Sequence, residues 1–179
     1  DWAGMLPSGE RPLVELLDGL VGAVRPAKLL VAAAIAREHA ERGEKLLIWT
    51  NFIGNVRELE RLLEPYNPAV ITGSVVRDDP SAETDRVREL RKFREDPMCA
   101  VLIATPQTLG EGVSLHHVCQ SQVHVDRTFN AGLFLQSLDR THRVGMPPGS
   151  TAKVTLLVAP DTIDEAIHAS LNRKLIGME

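Results

Sequence analysis

Short apolar runs alternate with segments of helical periodicity along most of this 179-residue sequence. Runs typical of buried strands occur at residues 45–49, 69–71, 99–104, 122–125 and 153–158. Parallel strands can only be joined by crossover connections, and helices are the usual crossover, so this alternation favours parallel pairing. We therefore expect an α/β fold: an open, mostly parallel sheet with helices on both faces.

The helices expected between these strands have recognisable ends. The first follows Pro26 and stops before Gly43, and the sequence Thr162-Ile-Asp-Glu165 is a capping box for the last. The third carries an apolar stripe of Val87, Leu90 and Phe93, and we predict that Trp49 and Phe52 belong to the core. The predicted helices cover residues 27–41, 51–64, 80 to about 95, 133–142 and 162–175.

Charge and cysteine content exclude several classes of protein. Lys and Arg total 20 against 24 Asp and Glu, a net charge of -4, which excludes a histone-like protein that binds polyanions through bulk charge. Two cysteines are too few for a disulfide framework and favour the cytoplasm. The longest apolar run, Leu29–Ala36, is too short to cross a bilayer, so no membrane partner is expected. The start at Asp1 suggests an excision from a longer chain.

Ligands of open α/β sheets bind beyond the carboxyl ends of the strands, which directs attention to the loops 50–55, 72–77, 105–114 and 126–132. One of these loops contains Gly110-Glu111-Gly112, where backbone and carboxylate could approach a ligand closely, although such glycines can also simply turn the chain. The sequence contains no GxxxxGK[ST] phosphate-binding loop. This chain alone is therefore not expected to hold ATP in the ordinary way.

A cluster of long polar side chains follows in the helix predicted over 133–142. At 100° per residue, Gln136, Arg140 and Arg143 fall within roughly 60° of one another on a continuous helix. Guanidiniums bind phosphate oxygens bidentately and stay charged, so this face could stabilise a phosphoryl group during transfer. The alternative is a solvated helix face whose arginines pair with Asp139 and nearby acids.

Taken together, these segments resemble motifs of superfamily-two helicases, and most closely the second RecA-like lobe of Swi/Snf-family DNA translocases. Residues 136–145 match motif VI, Gln-x-x-Asp-Arg-x-His-Arg-x-Gly, at every specified position. Residues 43–52 look like motif IV and residues 104–115 like motif V. The resemblance covers about residues 26–175. It implies a RecA-like lobe over 26–160, a brace helix over 161–179, and a linker or packing helix over 1–25.

The resemblance implies roles for individual residues. Arg140 and Arg143 would be arginine fingers that reach ATP held by a separate first RecA-like lobe, with Gln136 on the same surface. The groups implied near the nucleotide are Gly110, Glu111, Gly112 and Asp139. The groups implied to meet the DNA backbone are Thr50, Asn51, Gly73, Ser74, Thr105 and Asn130. Hydroxyls, amides and backbone N–H groups bind phosphates without reading bases, as a tracking motor requires.

The activity implied is that of an ATP-dependent double-stranded DNA translocase, with ATP and Mg²⁺ held mainly by the first lobe and the protein located in the cytoplasm, on the bacterial nucleoid. We expect the isolated chain to be inactive. Two alternatives are a lobe of an RNA or single-strand helicase and a RecA-like adaptor without turnover. No metal site is predicted, because His116, His117, Cys119 and His124 match no standard zinc spacing.

Overall fold

The computed structural model describes residues 26–73, 85–109, 113–142, 149 and 151–176. Within these residues the chain forms one five-stranded sheet in the order β2-β3-β1-β4-β5, and every pairing is parallel. This confirms the predicted fold class. The strands are β1 (Leu46–Trp49), β2 (Ala69–Ile71), β3 (Val101–Ala104), β4 (Ser121–His124) and β5 (Lys153–Leu156), each within a few residues of its predicted bounds.

Helices connect these strands and cover the sheet. They are α1 (Ala27–Glu41), α2 (Ile53–Leu62), α3 (Asp85–Glu95), α4 (Ala131–Leu138) and α5 (Ile163–Ile176), with a short 3-10 helix at Glu64–Tyr66. Gly43 ends the α1 segment with φ of +69°, a conformation that costs glycine little because it lacks a Cβ. The hydroxyl of Thr162 accepts a hydrogen bond from the backbone N–H of Asp164 (3.2 Å), as predicted for the cap of α5. None of the described helices is long and apolar enough to cross a membrane.

Successive residues of each strand point to opposite faces of the sheet, so each face has its own core. On one face, Leu46 and Ile48 pack with the buried sides of α1 and α2. On the other, Leu47 and Trp49 pack in a cluster that includes Leu90 and Phe93 of α3. Because both faces are covered, the only regions of the central strands open to a ligand are their ends.

The closing helix α5 packs against α4 rather than on the centre of the sheet. Ile167 and Leu171 of α5 form a small apolar cluster with Phe134 of α4, and Leu156 of β5 packs against it. An ion pair between Lys28 Nζ and Asp164 Oδ2 (2.6 Å) also joins the start of α1 to the start of α5. The described part of α5 therefore contacts the first helix, through Lys28, and the last strand, through Leu156.

Two predictions of core residues were wrong. Phe52 is 62% exposed because the chain turns at the carboxyl end of β1 before α2 begins, so its side chain leaves the sheet. Val87 is 48% exposed, because the buried side of α3 is formed by Leu90 and Phe93. The predictions for Trp49, Leu90 and Phe93 are confirmed.

Two helices are shorter than predicted. Helix α2 begins at Ile53, not residue 51, because Asn51 hydrogen-bonds across the sheet edge to Asp126, and it ends at Leu62, before Pro65, which lacks an N–H. Helix α4 ends at Leu138, not residue 142. Beyond it, two bonds are of the i→i−3 type, from Arg140 N–H to Ser137 O and from Thr141 N–H to Leu138 O, and His142 N–H also donates to Leu138 O. The α-helix therefore ends between Gln136 and Arg140, and Arg143 lies outside the described residues.

Candidate functional site

A cluster of polar side chains lies at the carboxyl ends of β1 and β4, centred on Asp126. The Asp126 carboxylate accepts hydrogen bonds from the Thr50 hydroxyl, from the backbone N–H and Nδ2 of Asn51 (2.7 and 2.8 Å), and from Nδ2 of Asn55 (3.2 Å). Val125 N–H donates to Trp49 O (2.9 Å), which continues the β1–β4 ladder up to this cluster. We call Thr50, Asn51, Asn55 and Asp126 the edge cluster.

The loop after β3 extends the edge cluster. Gln107 Nε2 donates to Asn51 Oδ1 (3.4 Å), and Gln107 is exposed. The hydroxyls of Thr105 and Thr108 are 2.7 Å apart, and Thr108 also donates to Ile71 O at the end of β2 (3.2 Å). The loops that follow four neighbouring strands are therefore joined by hydrogen bonds into one surface.

The predicted nucleic-acid residues differ in their access to a ligand. Thr50 is 0% exposed and Thr105 is 5% exposed, so their hydroxyls are used inside the lobe. Asn51 is half-buried, whereas Gly73 and Asn130 are exposed. Asn130 caps α4 by accepting a hydrogen bond from Leu133 N–H at 3.1 Å, and a Cβ at position 73 would lie 3.2 Å from Thr108 Cγ2. Ser74 lies outside the described residues.

A second polar group holds the far end of α4 to the sheet. Gln122, buried in β4, accepts from Trp49 Nε1 (2.7 Å) and donates to Thr141 Oγ1 (2.8 Å) and Leu138 O (3.2 Å). Its amide thus adds a further donor to Leu138 O, which also accepts from the backbone N–H groups of Thr141 and His142. The hydrogen bonds from Gln122 to Leu138 O and Thr141 Oγ1 hold the residues around the end of α4 against β4.

Arg140 follows directly and contacts the segment that begins at Val113. Its Nη1 donates to Val113 O (3.1 Å), and its own carbonyl accepts from Leu115 N–H (3.0 Å). Arg140 is half-buried, whereas Gln136 and Asp139 are exposed. Helix α4, about 12 Å long for eight residues, separates Arg140 from Asn130 at the edge cluster.

The structure therefore divides the predicted site residues into two groups. Asn51, Gly73 and Asn130 lie at the carboxyl edge of the sheet, and Gln136, Asp139 and Arg140 lie along or beyond α4. Arg143, Gly110, Glu111 and Gly112 lie outside the described residues, so their predicted roles stay predictions. In the described part of the chain, no group of three or more His, Cys, Asp and Glu side chains could hold a metal ion.

Two basic side chains beside the edge cluster have lowered pKa values. Burial, assisted by the charge of Arg127, lowers the pKa of His124 to about 3, and its Nε2 makes no hydrogen bond. The ring of His124 stacks on Trp49 and meets Phe134 edge-on, with centroids 6.1 and 5.2 Å apart. Burial also lowers the pKa of Arg127, whose guanidinium lies over the Phe134 ring at 5.8 Å. His124 is thus a neutral part of the core.

Helix α5 is bonded to the segment between the edge cluster and α4. Arg127 Nη1 lies 3.0 Å from Nδ1 of His168, and Lys174 Nζ donates to Phe129 O (2.8 Å). Asp164 also accepts the N–H of Ala159 (3.0 Å) in addition to the ammonium of Lys28. Burial opposes ionisation of Asp164, but these donors hold its pKa below the usual value.

Sequence reasoning missed Asp126, Gln122 and Gln107 as functional candidates. Asp126 had one usable signal, an acidic residue directly after a buried strand and inside a loop already singled out. Gln122 carried none, because a glutamine within a strand pattern does not reveal which groups it will meet. Gln107 is recognisable only by its 3.4 Å contact with Asn51, 56 residues away in the sequence.

Comparisons with known proteins agree with this geometry. A family model described as the helicase conserved C-terminal domain matches residues 27–145. The chain is 24% identical over 184 residues to the DNA annealing helicase and endonuclease ZRANB3 of Mus musculus, covering 97% of this chain and 16% of that protein. It is 31% identical over 110 residues to the TATA-binding protein-associated factor MOT1 of Saccharomyces cerevisiae, covering 59% of this chain and 5% of that protein.

A solved structure of the C-terminal part of the Fun30 ATPase domain superposes with a TM-score of 0.69 at 25% identity, covering 82% of this chain and 46% of that chain. The parallel sheet and the loops at its carboxyl edge define a RecA-like helicase lobe. The chain belongs to the helicase conserved C-terminal domain family, and the resemblance to Swi/Snf-family helicases is confirmed. It spans about a sixth or less of the length of the two curated relatives named.

Proposed function

We propose that this chain is the C-terminal motor lobe of an ATP-dependent double-stranded DNA translocase. Its role would be to supply arginine fingers to ATP and to form part of the track for the DNA backbone. ATP and its Mg²⁺ would be held by a first RecA-like lobe, because this sequence has no GxxxxGK[ST] loop. The isolated chain is therefore expected to show negligible ATPase activity.

The observation that carries the proposal is that Arg140 is hydrogen-bonded to the segment that follows Gly112 in the chain. One hydrogen bond from its guanidinium and one to its carbonyl join it to Val113 and Leu115. Arg140 of motif VI and the segment of motif V that follows Gly112 would then move together when the lobes close. A guanidinium delivered in this way can stabilise the charge on a transferring phosphoryl group.

The edge cluster and its neighbours support the second part of the proposal. The exposed or half-buried groups along the carboxyl edge, Asn51, Gly73, Gln107 and Asn130, are neutral amides and a glycine. Such groups suit a backbone contact that is independent of base sequence. ZRANB3 is named as a DNA annealing helicase, which favours DNA as the ligand. Thr50 and Thr105 are buried, so we assign them supporting roles beneath this surface.

The test is DNA-stimulated ATP hydrolysis by the full-length protein. We expect duplex DNA to stimulate wild-type turnover and Arg140→Ala to lower it by about 10³-fold or more. Arg140→Lys should recover little, since a lysine lacks the planar fork that binds two phosphate oxygens. Arg61→Ala is the matched control, because Arg61 is exposed on α2 and pairs with Glu58 (2.6 Å) far from α4.

Each outcome separates the proposal from an alternative. Undiminished DNA-stimulated turnover in Arg140→Ala would refute the finger role. Stimulation by RNA and not by duplex DNA would favour an RNA helicase lobe. A full-length sequence without an upstream phosphate-binding loop would favour an adaptor without turnover.

A further inference from the structure

Asp126 is a buried carboxylate that has no cationic hydrogen-bonding partner among the residues that the structure describes. It is 6% exposed, and all the groups that donate to it, from Thr50, Asn51 and Asn55, are neutral. Burying a carboxylate is costly unless its oxygens are hydrogen-bonded, and here both oxygens accept. The carboxylate is therefore stabilised by neutral donors, whose orientation it fixes in turn.

These hydrogen bonds fix the orientation of the Asn51 amide. A carboxylate can only accept, so the Nδ2 group of Asn51 must face Asp126 and its Oδ1 must face away. Gln107 Nε2 donates to that outward oxygen at 3.4 Å. Hydrogen bonds of fixed direction thus connect buried Asp126, through Asn51, to the exposed amide of Gln107 in the loop after β3.

The same carboxylate holds the turn that starts α2. The Thr50 hydroxyl donates to Asp126 Oδ2, and Asn55, in the first turn of α2, donates to both Thr50 Oγ1 (3.3 Å) and Asp126 Oδ2 (3.2 Å). Residues 50 and 126 are 76 positions apart in the chain, so no local preference of the backbone would fix this arrangement. Removing the acceptor takes away the hydrogen bonds of the Thr50 hydroxyl and the Asn51 backbone N–H to the carboxylate, and leaves Asn55 with Thr50 Oγ1 alone.

We infer that Asp126 is the positioning residue of the carboxyl-edge surface: it holds Asn51, and through it Gln107, in the arrangement that meets the nucleic-acid backbone. The inference rests on the proposed function. Asp126 does not contact the ligand, and it acts through the groups that it orients. Preorganised groups bind more tightly because their ordering cost is already met in the free protein.

The experiment measures the duplex DNA concentration that gives half-maximal ATPase stimulation of the full-length protein, together with turnover at saturating DNA. We expect Asp126→Asn and Asn51→Ala each to raise the half-maximal concentration by about tenfold, with turnover at saturation lowered less than twofold. In the double variant the two effects should not multiply, since both substitutions remove the same oriented amide. The matched control is Asp96→Asn, at a half-buried carboxylate before β3 that accepts Met98 N–H (2.8 Å).

Thr50→Val keeps the inference testable if Asp126→Asn does not fold. Thr50 has no exposed surface, so any effect on DNA use must pass through its neighbours. We expect an increase of about threefold in the half-maximal concentration. An unchanged value in Thr50→Val or Asp126→Asn, or effects of Asp126→Asn and Asn51→Ala that multiply to about a hundredfold, would overturn the inference.

A second readout separates this inference from the proposed function. Wild-type full-length protein that no nucleic acid stimulates would defeat the proposed function. The positioning role is then judged by a double-mutant cycle of Asp126→Asn and Asn51→Ala on the temperature of unfolding. Coupled shifts would support the oriented pair, whereas independent shifts would overturn it.

Discussion

Replacing Gln122 by methionine should destabilise the lobe by about 1–3 kcal/mol. The substitution conserves volume but removes the hydrogen bonds to Trp49 Nε1, Thr141 Oγ1 and Leu138 O. Trp49 and Thr141 are 1% and 0% exposed, so water cannot replace the lost partner. The Thr141 hydroxyl can rotate, and Leu138 O still accepts from the backbone N–H groups of Thr141 and His142. The indole N–H is therefore the group left unsatisfied, at about 1–3 kcal/mol, and the methionine's apolar surface offsets part of the other lost bonds.

The assay is urea unfolding at pH 7 followed by tryptophan fluorescence, since Trp49 lies beside the substituted residue. Gln120→Met is the matched control, because Gln120 is half-buried and makes one bond, to His116 O at 2.9 Å. We expect the control to lose less than about 1 kcal/mol. A loss below 1 kcal/mol for Gln122→Met, or equal losses for the two variants, would refute the claim that the Gln122 amide holds α4 to the sheet.

Two further predictions concern basic side chains, the buried His124 and the half-buried Lys45. The pKa of His124 is about 3 in the folded lobe and that of an unfolded histidine about 6.5, so its neutral burial contributes stability that is complete above pH 6.5 and is lost as the pH falls toward 3, by about 1.4 kcal/mol per unit. Urea unfolding between pH 7 and pH 4 should show a shallower pH dependence in His124→Phe than in wild type, and an unchanged slope would contradict the assignment. Lys45→Met should destabilise by about 1–3 kcal/mol, because Nζ donates to the carbonyls of Phe93, Asp96 (3.0 Å) and Cys99 (3.3 Å) at the end of α3. Lys92→Met, which loses a single bond to Pro68 O (2.9 Å), should cost less in the same assay, and equal costs would refute this reading.

The fold was predictable because it depends on patterns that are local in sequence. The runs that became β1, β2 and β3 are apolar at every position, as expected for strands covered on both faces. Errors arose where a distant partner decided the outcome. The start of α2 depends on Asp126, and the end of α4 depends on Gln122 and on the segment around Leu115.

The candidate site was predictable in part for the same reason. The motif VI match identified Arg140, and the rule for open sheets identified the loops that carry Asn51, Gly73 and Asn130. The helical extrapolation for Gln136 and Arg140 was wrong because a 3-10 type turn begins after Leu138 and changes the rotation per residue. Phe52 was misplaced because its apolar character does not reveal that the chain turns at Asn51.

By itself, the sequence determined the parallel α/β architecture and the helicase motifs of this lobe, because hydrophobic periodicity and motif spacing are properties of neighbouring residues. Only the tertiary structure decided which polar groups meet. Asp126 meets Asn51 at the sheet edge, and Arg140 meets Val113, the residue that follows Gly112. The physical reason is that a hydrogen bond requires two groups about 3 Å apart, and packing of the strands and helices brings together residues that lie far apart in the chain.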